Sequence, residues 1–308
     1  MPIRKSLPCV LLAASAIAAC GTSAPSRRAP QVAAGTAVTF PIVGSKYAVS
    51  RRVDVWLPPG YREDRSARYP VIYMHDGQNL FDDSLAGYGV EWGIDEAMGT
   101  LIAEGRVRPA IIVGVWNTDK RFGEYFPQQA LTQGPVAYGI GGRGSVTQAA
   151  LNADGYLRYL VEELKPAIDS VYRTRRGPEH TFVMGSSMGA LISAYALARY
   201  PQVFGGAACV STHWPAGDGA AIPWFAANLP RAGTHRLYFD YGTTELDSLL
   251  PPLQARMDTA LAALGYVQGR DWMTRRFEGA KHHESAWRAR VDVPLTFLLG
   301  TAPEGAAP

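Results

Sequence analysis

The chain is built from short apolar runs that stop at polar residues. "YPVIYMHDG" (69–77), "PAIIVGVWN" (109–117), "HTFVMGSS" (180–187), "GGAACVS" (205–211) and "HRLYFDYG" (235–242) each end in Gly, Asp, Asn or Ser. Short unbroken apolar runs suit strands buried on both faces. "YAVSRRVDVWLPP" (47–59) alternates instead and predicts an edge strand. Between the runs, stretches 91–105, 151–169, 188–200 and 252–265 carry apolar residues at helical spacing. Strands alternating with amphipathic helices predict an α/β domain with a mostly parallel central sheet and helices on both faces. Ligands of such folds sit beyond the carboxyl ends of the strands, which is where the polar clusters fall.

Two stretches break the alternation. Residues 117–145 and 212–233 hold aromatic, Gly and Pro residues without regular spacing. Long loops of this kind in a compact domain are commonly functional. Trp214, Trp224 and Phe225 speak against disorder, so both stretches read as walls of a substrate cleft.

The N-terminus follows another rule. Arg4 and Lys5 precede the apolar run "CVLLAASAIAAC", which closes on small residues at Cys20. A basic start, a short apolar core and a small-residue exit describe an export signal over residues 1–19, too short to span a bilayer. "IAAC" resembles the lipobox of bacterial lipoproteins. The resemblance implies lipidation of Cys20, a bilayer partner through that anchor, and, with Gly21 next, placement at the outer membrane facing the periplasm. Residues 20–35 read as a flexible tether, and 36–302 as one catalytic domain.

Composition, 47% hydrophobic and 19% charged, is ordinary for a globular chain. Removing residues 1–19 takes two of 30 basic residues and none of 27 acidic ones, which leaves +1. So small a charge excludes an electrostatic case for nucleic acid. Cys9 leaves with the signal and Cys20 is the anchor. Cys209 remains, a buried core thiol without a disulfide partner.

"FVMGSSMGALIS" (182–193) places Ser187 in G-x-S-x-G, between a strand-like run and a helix-like one. That is the setting in which a sharp strand-to-helix turn presents a nucleophilic serine at a helix N-terminus. Such a serine needs a base. His282 and His283, in "FEGAKHHESAW", follow the last strand-like run, 271–279; either serves, and no further His or carboxylate stands at metal-ligand spacing. The acid that orients the imidazole should follow the preceding strand. "LYFDYGTTELDSLL" offers Glu245 and Asp247 there, while Asp240 points into the sheet. Asp247 could equally cap the helix that follows. Of the other histidines, His213, beside Trp214, looks placed to line the cleft.

Taken together, "YMHDGQNLFD", "ELKPAIDSVYRT", "GSSMGA", "STHWP", "FDYGTTELD" and "FEGAKHHESAW" resemble the esterase D/enterochelin-esterase-like group of α/β-hydrolases, over about residues 40–300. This group includes feruloyl esterases and mycolyltransferases. The resemblance implies an α/β-hydrolase fold and a serine esterase acting through an acyl-serine, with a small-molecule ester as substrate and no cofactor. Catechol-siderophore ester hydrolysis and acyl transfer are the alternatives on the same triad. Ser187 becomes the nucleophile. His282 becomes the base, since Gly279, His282 and Trp287 match the group's Gly-x-x-His…Trp pattern. Asp247 becomes the acid, with Glu245 as alternative. The backbone amides of Gln78 and Met188 become the oxyanion donors. A non-catalytic binding module is the weaker reading, because degenerate members usually lose the serine or the histidine and both are present here.

Overall fold

Alternating side chains decide the architecture. In the strands from residue 53 onward, odd and even positions send apolar groups to opposite faces, and helices cover both. In the computed structural model, residues 28–41, 44–131, 133–138 and 144–301 are described. The export signal, Cys20 and the first part of the tether lie outside them. No helix among the described residues is long and apolar enough to cross a membrane.

The sheet has eight strands: β1 (Thr36–Phe40), β2 (Val53–Leu57), β3 (Val71–His75), β4 (Ile111–Val115), β5 (Thr181–Ser186), β6 (Gly206–Val210), β7 (Arg236–Gly242) and β8 (Trp272–Phe277). Their order is β1-β2-β4-β3-β5-β6-β7-β8. All pairs from β4 to β8 are parallel, whereas β1–β2 and β2–β4 are antiparallel. The stretch read as an edge strand is therefore an interior one: β2 lies between β1 and β4. Its five residues are all buried because both faces are covered. One edge of the sheet belongs to β1, a five-residue segment too short to register as a strand pattern.

One face of the sheet packs on helices 153–171, Met188–Arg199, Ala221–Asn228 and Pro251–Ala263, around Val71, Tyr73, Val113, Val183, Cys209 and Phe239. The other packs on Ile94–Ala103 and Asp292–Leu299, around Ile72, Met74, Phe182, Met184, Ala208 and Tyr238. Helix 153–171 contains a π-helical turn, Tyr159–Leu164, just before Pro166. Proline has no amide to donate, and the wider turn accommodates the missing bond. Cys209 is buried, as expected, and burial pushes its thiol pKa up.

Part of the stretch read as a tether is docked. The Gln31 amide donates to Asp82 (3.0 Å), the Ala33 amide to Asp95 (2.6 Å), and Trp56 Nε1 to the Ala34 carbonyl (2.7 Å). Residues 28–35 are thus bound to the domain surface by backbone bonds that a composition-based reading does not register. Stretch 212–233, read as cleft wall, contains the helix Ala221–Asn228, with Phe225 fully buried and Trp224 against Tyr195.

Five parallel strands bring their carboxyl ends to one rim. Asp76 follows β3, Ser187 follows β5, Ser211 follows β6, Asp247 comes soon after β7, and His282 soon after β8.

Candidate active site

Ser187 is the single residue between β5 and the helix Met188–Arg199. Its backbone sits at φ 56°, ψ −117°, a conformation L-residues rarely adopt. Such strain costs about 1–3 kcal/mol and persists only where surroundings over-determine it. Here the Ser187 amide donates to the Val210 carbonyl (2.9 Å), and its carbonyl accepts from His213 N (3.1 Å) and Ala190 N (3.2 Å). A Cβ on Gly185 would stand 2.8 Å from the Gly189 carbonyl carbon, so the turn closes only with glycine there. Met188 opens the helix, and its amide is among the four that no intrahelical carbonyl can reach.

Asp247 is fully buried. Oδ1 lies 2.5 Å from His282 Nδ1, while Oδ2 accepts from Ser211 Oγ (2.6 Å) and the Gly242 amide (2.7 Å). A Cβ at Gly242 would stand 2.9 Å from Oδ2, so this approach also requires glycine. Burial opposes ionisation of Asp247, yet the hydrogen bonds from His282 and Ser211 outweigh it and hold the carboxyl below its ordinary range. Glu245, the alternative acid, is exposed, with φ 52°. Asp247 does not cap the following helix; that carboxylate is committed to His282, Ser211 and Gly242.

His282 and His283 diverge. The rings of His282 and Trp287 pack in a T-shape, with centroids 5.1 Å apart and planes at 82°. His283 instead caps the short helix Glu284–Arg288, its Nδ1 accepting from the Ser285 amide (3.2 Å). Ser187, His282 and His283 line one cavity of about 470 Å³. Its remaining wall includes the polar residues Asp76, Gln78, Asn79, Asn117, Arg121 and Glu284, with Tyr88 and Trp287 as the aromatic members.

One cleft expectation changes. Trp214 is 1% exposed; its indole donates to Gln254 (2.8 Å) and packs on Phe225 and Phe239, so it belongs to the core. The backbone turns at this point, the Trp214 amide donating to the Thr212 carbonyl (2.7 Å). His213 does approach the site, its ring 6.3 Å from that of His282, with Nε2 2.7 Å from the Tyr138 carbonyl. Burial lowers its pKa. Of stretch 117–145, Asn117 and Arg121 reach the cavity.

The sequence reading missed the floor of the cavity. Asp76, at φ 57°, takes Arg121 through both oxygens (2.7 Å each) and Asn117 Nδ2 (2.6 Å). Burial raises its carboxyl, but Arg121 more than offsets this, and Asp76 stays below the ordinary range. Arg121 rides on the short helix Arg121–Tyr125, itself fixed by the buried pair of Glu124 with Arg51 (2.6 Å). The Asn117 amide donates to Gln78 Oε1 (3.3 Å), which ties the Gln78 turn to the same floor. A run such as "NTDKRFGEYF" gives no periodic sign of this; the available clue is an acid directly before Gly77 at the end of a strand-like run.

Outside the cavity, Glu91, Asp95 and Glu96 bring carboxylate oxygens within 4.8 Å of one another, the one such acidic group among the described residues. Arg288 pairs with Glu91 and with Glu96 (3.0 Å) and acts as their counter-ion.

His75, just below the floor, is 2% exposed and bonds Tyr156 Oη through Nδ1 (2.7 Å). Burial lowers its pKa to about 3. The folded state therefore keeps it neutral, while the unfolded chain takes a proton below about pH 6.5. Its contribution is present above that pH and is lost as pH falls toward 3. In chemical denaturation, stability should decline from pH 6.5 to 4.5, and His75→Gln should flatten that decline by up to about 1.4 kcal/mol per pH unit. An unchanged slope would mean that folded His75 accepts its proton normally.

Known proteins resemble this chain in sequence and fold. The family model described as "Putative esterase" matches residues 45–298. Over 199 residues the chain is 27% identical to the uncharacterized protein YbbA of Bacillus subtilis, spanning 64% of this chain and 70% of that one. Over 155 residues, 49% of this chain, it is 26% identical to an endo-1,4-beta-xylanase/feruloyl esterase of Xylanibacter ruminicola, of which it covers 18%. An IroE-like serine hydrolase from Shewanella oneidensis superposes with a TM-score of 0.65 at 20% identity, over 84% of this chain and 78% of that one. This last likeness shows the fold. The chain belongs to the "Putative esterase" family and is a carboxylic ester hydrolase of the α/β-hydrolase fold.

Proposed function

We propose that the protein hydrolyses carboxylic esters through an acyl-serine intermediate, with Ser187 as nucleophile, His282 as general base and acid, and Asp247 as the orienting acid. The observation that carries this reading is the 2.5 Å contact of Asp247 Oδ1 with His282 Nδ1, in a cavity that His282 shares with Ser187. With Nδ1–H donated to a carboxylate, Nε2 is left as the acceptor for the serine proton.

The steps follow from that tautomer. Ser187 Oγ attacks the ester carbonyl carbon as Nε2 takes its proton. The oxyanion so formed is met by the backbone amides of Gln78 and Met188, donors that cost no reorganisation. The C–O bond to the alcohol breaks, and the alcohol leaves with the proton from Nε2. Water then gives a proton to Nε2 and its oxygen to the acyl carbon, which releases the acid and restores Ser187. The polar side chains of the cavity wall suit substrates with hydroxyl or carbonyl groups near the ester. Feruloyl esterase activity, named for the Xylanibacter relative, fits Tyr88 and Trp287 as ring contacts.

On p-nitrophenyl acetate, Ser187→Ala should abolish turnover with the thermal midpoint nearly unchanged. His282→Ala and Asp247→Asn should each lower kcat by roughly 10⁴-fold, the amide because it selects the wrong imidazole tautomer. His283→Ala and Glu245→Gln should change it far less. An active Ser187→Ala protein, or the reverse order within either pair, would contradict these assignments.

We further propose that Cys20 carries the lipid anchor. Each buried CH₂ is worth about 0.8 kcal/mol, one chain binds only marginally, and a triacylated cysteine supplies three. The wild-type protein should fractionate with membranes, resist release by high salt and carry added mass at Cys20. Recovery wholly in the soluble fraction, without that mass, would remove the anchor and leave the esterase reading intact.

A further inference from the structure

Ser211 stands one residue beyond β6, fully buried, at φ 43°. The left-handed region is uncommon for a residue other than glycine. Its hydroxyl has three partners: Asp247 Oδ2 at 2.6 Å, Trp287 Nε1 at 3.0 Å and Arg290 Nη2 at 2.8 Å. A hydroxyl offers one proton and two lone pairs, while indole and guanidinium nitrogens can only donate. Trp287 and Arg290 therefore take both lone pairs, and the proton has one destination, Asp247.

The other partners are fixed in turn. Arg290 is paired with buried Asp240 (Nη2–Oδ1 3.0 Å, Nε–Oδ2 3.2 Å). Asp240 also accepts from Tyr238 Oη (2.9 Å) and from the Ser211 amide (3.1 Å), which locks the strained turn. With Ser211 and the Gly242 amide both on Oδ2, the Asp247 carboxylate presents Oδ1 to His282 and has no second orientation.

We propose that Ser211 is a positioning residue: its hydroxyl, aimed by Trp287 and Arg290, holds the Asp247 carboxylate ionised and turned toward His282. This rests on the reading of Asp247 and His282 as the acid–base arm, yet its physical content holds whether or not a given ester is turned over. Ser211 touches no substrate. Removing its hydroxyl takes one donor from Oδ2, so the carboxylate becomes more basic and free to swing. A more basic carboxylate holds the proton on His282 more firmly. The other charged or titratable groups around His282 are His213, His283 and Glu284, with Asp76 and Arg121 on the cavity floor, and the substitution leaves them in place.

The test compares wild type, Ser211→Ala and Ser211→Gly, the last suited to φ 43°. Two readouts are taken: kinetics across pH, and the ¹⁵N chemical-shift titration of His282 by NMR. In both variants kcat should fall about 10²-fold, the cost of a misplaced catalytic group, with KM unchanged. The acid limb of kcat/KM and the His282 titration midpoint should move together to higher pH, by roughly one unit. A midpoint unmoved in folded variants, or a loss carried by KM, would overturn the proposal. So would failure of both variants to fold, since the hydroxyl would then be a requirement of the fold. If the wild type hydrolyses no ester, the proposed function fails, and the imidazole titration alone decides this inference.

Discussion

A carboxylate with no exposure to solvent must be given donors or give up its charge. Asp247 is such a group, and much of the carboxyl half of the chain is arranged around it. β7 ends in Gly242 so that a backbone amide can reach Oδ2. β6 ends in a strained Ser211 whose hydroxyl reaches the same oxygen. The segment after β8 turns to bring His282 to Oδ1; the following helix returns Trp287, and the turn after it Arg290, to fix Ser211. Removing any one donor leaves the others competing with burial.

The amino half solves a similar problem on the floor of the cavity. Asp76 is buried and held by Arg121 and Asn117, and Arg121 is held in place by a helix that a second buried pair, Arg51–Glu124, fastens to the start of β2. Arg51 also lies 4.8 Å from the ring centroid of Tyr156. Buried pairs of this kind return little net stability, because desolvation consumes most of the attraction. What they supply here is position. The Gln78 turn and the Ser187 turn follow the neighbouring strands β3 and β5 and line the same cavity.

Much of this was legible in the sequence, for physical reasons. Strands covered on both faces must be nearly all apolar, so β3 to β7 stood out as runs, and helices that cover a sheet must be amphipathic. The strand–Ser187–helix junction was legible because a turn that tight requires glycines at fixed positions. What escaped lacks a period or depends on partners distant in sequence. β1 is short and half polar. Helix Ala221–Asn228 is nearly apolar all round and starts among Gly and Pro residues, so it read as loop. Trp214 read as a cleft residue because it stands in the irregular stretch 212–233, whereas its indole is committed to Gln254, Phe225 and Phe239. Ser211 and Arg290 are 79 residues apart, and nothing local announces that one hydroxyl joins them. The choice of Asp247 over Glu245 came from resemblance, since both follow the same strand; burial separates them only in three dimensions.

The central claim is that the strained serine at the end of β5 is a nucleophile, activated by His282 in its place beside Asp247. A fluorophosphonate probe tests it most directly, because it reacts with an activated serine and needs no knowledge of the natural ester. Intact-mass analysis of the purified protein should show one phosphonyl adduct, and peptide mapping should place it on Ser187. An unmodified protein after prolonged exposure, or an adduct on another residue, would contradict the account.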